Sequence, residues 1–467
     1  MSLLLNIHGV GGRRSVCQRP PTHSLQPMSK YLFSEVLCVM TSTLLLTACS
    51  SGSVSDGTGP VTKPDTVTNP GGTVQRTSLT VRVTVDADDA ALAARAGVSS
   101  AGLIVRLARV GASVDVRTAV TTADGTVRFE QLLEGLYDVS TDRAFTAAEV
   151  TRLLADDKEV SLLAAGTQVA VSPPVARDVQ MALVASRRGS LAISEFYSYH
   201  PIFGNTSYPF GDYTEFTNLA DTVIYMDGML AFRDYPPVHG GFREDNFCDL
   251  FSAQRLDTTA VWAGAIYRFP GSGRQFPLQP GAAVVFAMDA INHGPAAPGL
   301  PDLSRASFEE FGLDGDVDNP FSVNMERLTR GSPIAVHGFP LAAMRMYGIA
   351  LPIARDTTAL VRAEAPSTGD GMFRIPRAAI LDVVGLALTP EVYVSLGAYR
   401  SGWRECVPFG SSVFDRAPAR LFDSTRNFAI RRKSLGRTAS GIELLQRTRT
   451  GARDFELAPP LRRSLNK

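Results

Sequence analysis

Residues 78–86 read SLTVRVTVD, placing Leu79, Val81, Val83 and Val85 on one side of an extended chain and polar residues on the other. A period of two predicts a strand with one buried face. The pattern returns at 103–107 and 115–121, Asp124-Gly125 supplies a turn, Val127 and Phe129 alternate again, and Glu134-Gly135 turns into a strand at 136–139. One helix interrupts at 146–154, with Thr146 as N-cap and Glu149 as its capping-box partner. Strands at 169–171 and 178–183 complete a sandwich placed at 77–186. After the polar break Ser186-Arg187-Arg188-Gly189, a second unit starts with LAISEFYSY and continues through an aromatic, glycine-rich loop to strands near 213–218 and 223–229. The expected fold is all-β: two antiparallel β-sandwiches, the second spanning 187–467 with long loop insertions.

The N-terminus departs from this alternation. Residues 36–48 are apolar apart from Thr41, Ser42, Thr43 and Thr47, too short to span ~30 Å of hydrocarbon but suited to the core of a cleaved signal. No lasting transmembrane helix is implied. The run ends in Leu46-Thr47-Ala48-Cys49, which resembles a bacterial lipobox. The resemblance implies cleavage before Cys49 and acylation of its thiol, with palmitate among the acyl chains. Residues 1–48 are then a lipoprotein signal region. It starts either at Met28, with Lys30 as its cation, or at Met1 with a long basic segment carrying Arg13, Arg14 and Arg19. Residues 49–76, rich in Gly, Ser, Thr and Pro, form a flexible linker whose typical span is ~25–35 Å. Ser50 after Cys49 resembles the sorting signal for the outer membrane, implying a lipid-anchored protein there, facing the periplasm or the surface.

Composition adds limits. The chain carries 46 basic and 46 acidic side chains, so bulk charge names no partner, nucleic acid included. From 404 to 467 there are 14 Lys and Arg against 6 Asp and Glu, readable as a solvated sheet face or as contact with anionic lipid. Once the signal leaves and Cys49 is acylated, Cys248 and Cys406 remain as a candidate disulfide pair.

Two stretches carry family resemblances. TTADGTVRFEQLLEGLYDVS at 121–140 resembles the signature of carboxypeptidase regulatory-like domains, implying a transthyretin-like sandwich in which Phe129, Leu132 and Tyr137 fill the core. Glu195, Glu215 and Asn218, the hairpin at 268–287, and Thr448, Asp454 and Phe455 resemble lamin-tail-like immunoglobulin sandwiches, although the asparagine-rich part of that closing motif is absent. Ala290-Ile291-Asn292-His293, Asp302-Leu303-Ser304, Phe308-Glu309 and Asp316-Val317-Asp318-Asn319-Pro320 with Asn324 resemble the exported lipoproteins of the domain of unknown function 4876 family. That resemblance covers 79–467 and implies association with outer-membrane receptor or barrel proteins of iron or nutrient uptake.

Candidate chemistry is sparse. Asp314, Asp316 and Asp318, followed by Asn319, Ser322, Asn324 and Glu326, offer alternating oxygen ligands for calcium, or else a solvated turn. The spacing is not that of an EF-hand, because Asn319 stands where glycine is required. His293, beside Asp289 and Asn292, reads as a base or ligand or as a hydrogen-bonded structural residue. The sequence contains no HExxH, serine elbow, P-loop or zinc spacing, and Gly271-Ser272-Gly273 reads as turn chemistry. Tyr197, Tyr199, His200, Tyr208, Phe210 and Tyr213 crowd one loop as candidate ligand-binding residues, a stacking platform for sugars or planar siderophores. Half of them are alternatively core plugs. The expectation is a non-enzymatic envelope lipoprotein that binds a ligand or partners an outer-membrane transporter. The alternatives are a hydrolase of envelope polymers using Glu195 and Glu215, and a structural or adhesive module.

Overall fold

The alternation at 78–86 forms β1 (Thr77–Val85), with Leu79, Val81 and Val83 buried and Arg82 and Thr84 exposed. It is followed by α1 (Ala90–Ala96), β2 (Ile104–Arg109), β3 (Val116–Val120), β4 (Thr126–Leu132), β5 (Gly135–Ala144), β6 (Leu162–Val171) and β7 (Arg177–Ser186). Their order is β3-β2-β5-β6-β7-β1-β4. β7 joins the two sheets of the sandwich: its first seven residues pair with β1 and its last three with β6. Phe129, Leu132 and Tyr137 lie in the core as expected, and the Tyr137 hydroxyl donates to the Leu133 carbonyl at 3.0 Å. The Thr146–Glu149 capping box is also present, each backbone N–H donating to the other side chain at 2.8 and 3.2 Å.

In the computed structural model the described residues are 74–112, 115–146, 148–150, 162–186, 189, 191–203, 206–208, 210–234, 257, 259–310, 318–328, 344–352, 362–364, 371–388, 419–422, 427–438, 440–448 and 450–460. All belong to one compact unit, Gly72–Lys467. Cys49, Cys248, Cys406, Asp314 and Asp316 lie outside the described residues.

The second sandwich contains β8 (Leu191–Tyr197), β9 (Tyr213–Asn218), β10 (Leu230–Asp234), β11 (Ala260–Arg268), β12 (Ala283–Ala287), β13 (Phe308–Glu309), β14 (Val323–Asn324), β15 (Met344–Ala350), β16 (Gly371–Pro376), β17 (Ile380–Leu388), β18 (Ala429–Arg432), β19 (Ser434–Arg437), β20 (Glu443–Leu445) and β21 (Phe455–Ala458). One sheet runs β14-β13-β12-β9-β8-β18-β21. The facing sheet is built on β16-β11-β10-β15-β17, with Arg362–Glu364 and Ala419–Phe422 at its two ends. Phe196, Phe216, Phe269, Phe286 and Tyr347 fill the space between them. β8, β9 and β11 are buried along their whole length, so both of their faces are covered.

The fold is all-β, but its sheets are mixed rather than purely antiparallel. β1–β7, β12–β13, β13–β14 and β17 with Ala419–Phe422 pair in parallel. Each parallel pair needs a long connection instead of a tight hairpin, and strand alternation carries no signal of that choice. The expected single helix is corrected as well. α1 shows no alternation because it buries only Ala93 and Ala96; its signals are its alanine content and the left-handed Gly97 that ends it.

Two of the C-terminal basic side chains, Arg432 and Arg447, lie inside the protein rather than on a solvated face. Arg432 donates to Asp382 at 2.8 Å and lies 3.4 Å from Asp454, while Arg447 lies 3.3 Å from Asp382, all four buried. Asp382 also accepts the Ile193 N–H at 2.9 Å, and Thr448 donates to Asp454 through its hydroxyl at 2.7 Å and through its N–H. Phe455 stacks under the Arg432 guanidinium at 4.3 Å. The three residues carried over most securely by the lamin-tail resemblance therefore surround one buried ion network.

The same C-terminal segment fastens the first sandwich. Arg453 donates to Asp86 at 2.9 Å and Asp89 at 3.2 Å, Ser186 Oγ donates to the Leu445 carbonyl at 3.2 Å, and Arg437 lies 3.7 Å from Asp138. Leu162 and Ala164 of β6 pack on Leu435 and Leu444 of β19 and β20. The approach is so close that a Cβ on Gly166 would lie 2.1 Å from the Leu435 carbonyl group.

Candidate functional site

The residues expected to bind a ligand gather where β8 and β9 run out, against the loop that follows β12. Tyr197 and Tyr213 are cross-strand neighbours, so their rings meet and stack with centroids 5.2 Å apart. Both are fully buried. Tyr213 donates to Glu195, whose other oxygen accepts from Arg431 at 2.9 Å. Burial, with Glu195 beside it, pushes the Tyr213 phenol well above its ordinary range. Tyr197 donates to Asn427 at 2.8 Å, and Asn427 in turn donates to the Gly299 carbonyl at 2.9 Å.

His200 Nε2 lies 2.9 Å from both oxygens of Asp212, and Ser198 Oγ reaches that same nitrogen at 3.2 Å and Asp212 at 3.0 Å. A nucleophilic triad needs one imidazole nitrogen facing the serine and the other facing the carboxylate. Here one nitrogen serves both, and all three residues are buried, so the trio is a structural knot.

His293 is fully buried and resolves in favour of the structural reading. Its Nε2 lies 2.9 Å from the Asp289 carbonyl, which can only accept, so Nδ1 is left to accept from the Tyr208 hydroxyl at 2.9 Å. Burial holds its pKa below 6.5. The unfolded imidazole takes a proton near pH 6.5 while the folded one resists, so this stabilisation is complete above that pH and is lost as pH falls towards the folded pKa. Urea unfolding from pH 7.5 to 5 is expected to show parent stability falling by at most about 1.4 kcal/mol per pH unit from this group, with a shallower fall in His293→Gln. Equal slopes in the two proteins would contradict the assignment.

What remains accessible is a rim of three half-buried rings, Tyr199, Tyr208 and Phe210. Tyr208 meets Phe210 edge-on at 5.4 Å and His293 edge-on at 5.8 Å. Tyr199 and Tyr208 pack on a buried cluster that includes Tyr197, Tyr213, Leu300 and Leu303. The expected six-residue platform is therefore divided: Tyr197, His200 and Tyr213 are its base, and Tyr199, Tyr208 and Phe210 its surface. Asn427 and Arg431, which tie the base to β18, have no local sequence signal.

The carboxylates proposed for hydrolysis face each other in register, Glu195 opposite Glu215, but both are buried in the sheet. Glu215 accepts from Ser194 at 2.8 Å. Asn218 holds a turn, donating to the Thr222 and Leu278 carbonyls. On the acidic loop, Asp318 is exposed and accepts from Asn324 at 3.0 Å, while Glu326 is held by Arg268 at 2.8 Å. Asn319 is structural, donating to the Ala290 and Ser304 carbonyls at 2.7 and 2.9 Å. Among the described residues no three His, Cys, Asp or Glu side chains come together as a metal set. Gly271-Ser272-Gly273 lies in a bend, as turn chemistry predicts, but not in a hairpin, because β11 before it and Pro277–Leu278 after it pair in different sheets. Burial pushes the Asp227 carboxyl up, but the N–H groups of Gln275, Phe276 and Gly273 outweigh it and hold the carboxyl below its ordinary value.

No family profile and no curated protein matches the chain. Among solved structures it is similar to a DUF4876 family protein from Bacteroides thetaiotaomicron, with 15% identity over 84% of this chain and 97% of that one and a TM-score of 0.47. It is similar at lower TM-scores to a DUF3823 family protein from Parabacteroides merdae (10% identity, 42% and 92% coverage, 0.16) and to a streptococcal ancillary pilin (12% identity, 46% and 59% coverage, 0.15). As the sequence resemblance anticipates, the chain is similar over most of its length to a solved protein of the domain of unknown function 4876 family.

Proposed function

We propose that this protein is a non-enzymatic, lipid-anchored envelope protein that captures a ring-bearing ligand, a sugar or planar siderophore, on Tyr199, Tyr208 and Phe210, in partnership with an outer-membrane receptor or barrel. The observation that carries the reading is the rim itself: three half-buried rings on a hydrogen-bonded base. Rings held in place before binding lose little freedom when a ligand stacks on them. Cys49 supplies the anchor, and the linker lets the sandwiches work ~25–35 Å from the bilayer.

The experiment immobilises the full chain and passes a mixture of envelope oligosaccharides and ferric siderophores over it. One component is expected to be retained and eluted with its mass unchanged, and the Tyr199→Ala/Tyr208→Ala/Phe210→Ala triple variant to retain at least tenfold less. Recovery of cleaved product would restore the hydrolase reading. In the same cells, labelled palmitate is expected in the parent and absent from Cys49→Ala.

A further inference from the structure

We propose that the second sandwich binds a small oxyanion, a carboxylate or phosphate group, on the inner edge of Arg327, independently of the aromatic rim. Arg327 lies on the short strand Glu326–Arg327, in register opposite Tyr267 of β11. Its Nε and Nη2 atoms are shielded from solvent and have no hydrogen-bond partner among the described residues, although the residue as a whole is only half-buried. Those two N–H groups form the parallel fork that a guanidinium offers to two coplanar oxygens. A desolvated, unanswered fork is unfavourable, and a ligand oxyanion answers it fully.

The surroundings fit that ligand. Arg233, buried on β10, pairs with Ala265 of β11 and so lies on the same face as Tyr267. Glu310, fully buried, follows β13 and is held there by its N–H donating to the Ala287 carbonyl at 3.0 Å. Tyr267 is close enough to Glu310, Arg327 and Arg233 to feel the charge of each, and burial keeps it a neutral hydroxyl. The adjacent pair, Arg268 with Glu326, belongs to the other face and is mutually neutralised at 2.8 and 2.5 Å.

Thermal unfolding of the purified full chain tests this, with inorganic phosphate in one arm and acetate in the other, each against chloride at equal ionic strength. The parent midpoint is expected to rise by about 2 °C at 20 mM ligand in one or both arms. The arm that responds identifies phosphate or carboxylate as the preferred group. Arg327→Gln is expected to show no rise, and Arg327→Lys, which keeps the charge but loses the fork, a smaller one. If Arg327→Gln does not fold, Arg327→Lys carries the comparison. A parent flat in both arms overturns the proposal in favour of water at the fork. An equal rise in parent and variants overturns it in favour of a general ionic effect.

Discussion

Asp382→Ala is expected to lower the unfolding free energy by about 3–5 kcal/mol, the largest effect of any single polar substitution in the second sandwich. The carboxylate accepts from Arg432, lies beside Arg447 and caps the Ile193 N–H, all inside the protein. Removing it takes a carboxylate away from two buried guanidinium groups at once, leaving Asp454 3.4 Å from Arg432. Against a total stability of about 5–15 kcal/mol, that loss removes much of the margin. Asp382→Asn keeps the shape and one acceptor for Ile193, so it should fall between parent and alanine. Glu326→Gln is the control, because its pair with Arg268 is half exposed and should be worth at most about 1 kcal/mol. Urea unfolding decides: a smaller loss in Asp382→Ala than in Glu326→Gln would show that the network does not hold the sandwich together.

Gly436→Val is expected to cost about 2–4 kcal/mol and to split one unfolding transition into two. Gly436 has φ +93°, which a branched residue adopts only with strain, and a Cβ there would lie 2.3 Å from the Ser140 Cβ on β5. The valine forces β19 away from the first sandwich, loosening the Leu162–Leu435–Leu444 cluster and the hydrogen bond from Ser140 to the Arg437 carbonyl. Gly166→Ala attacks the same contact from the β6 side and should act in the same direction. Calorimetry reads both. A single transition in Gly436→Val with the parent midpoint would mean that the two sandwiches do not depend on this contact.

The first sandwich was legible because its signals are local. β1 alternates, Asp124-Gly125 turns, and Thr146 with Glu149 forms its box across three residues. The second was legible only in part. Thr448, Asp454 and Phe455 stood out, but the arginines they serve read as surface charge, since Arg432 and Asp382 are 50 residues apart and Arg453 and Asp86 are 367 apart. Net charge over a segment cannot reveal partners at that distance. The candidate site divided for a related reason. A tyrosine is equally at home as a core plug or a binding surface, and only the pairing of β8 with β9, which buries Tyr197 and Tyr213 together, separates the base from Tyr199, Tyr208 and Phe210.

Hydroxyl-radical footprinting of the chain on intact cells, compared with the purified chain, tests the central claim most directly. Binding at the rim predicts several-fold lower oxidation of Tyr199, Tyr208 and Phe210 on cells, with Phe321, which is 90% exposed, unchanged. Equal oxidation of the three rings in both samples, or protection of Phe321 alone, would contradict it.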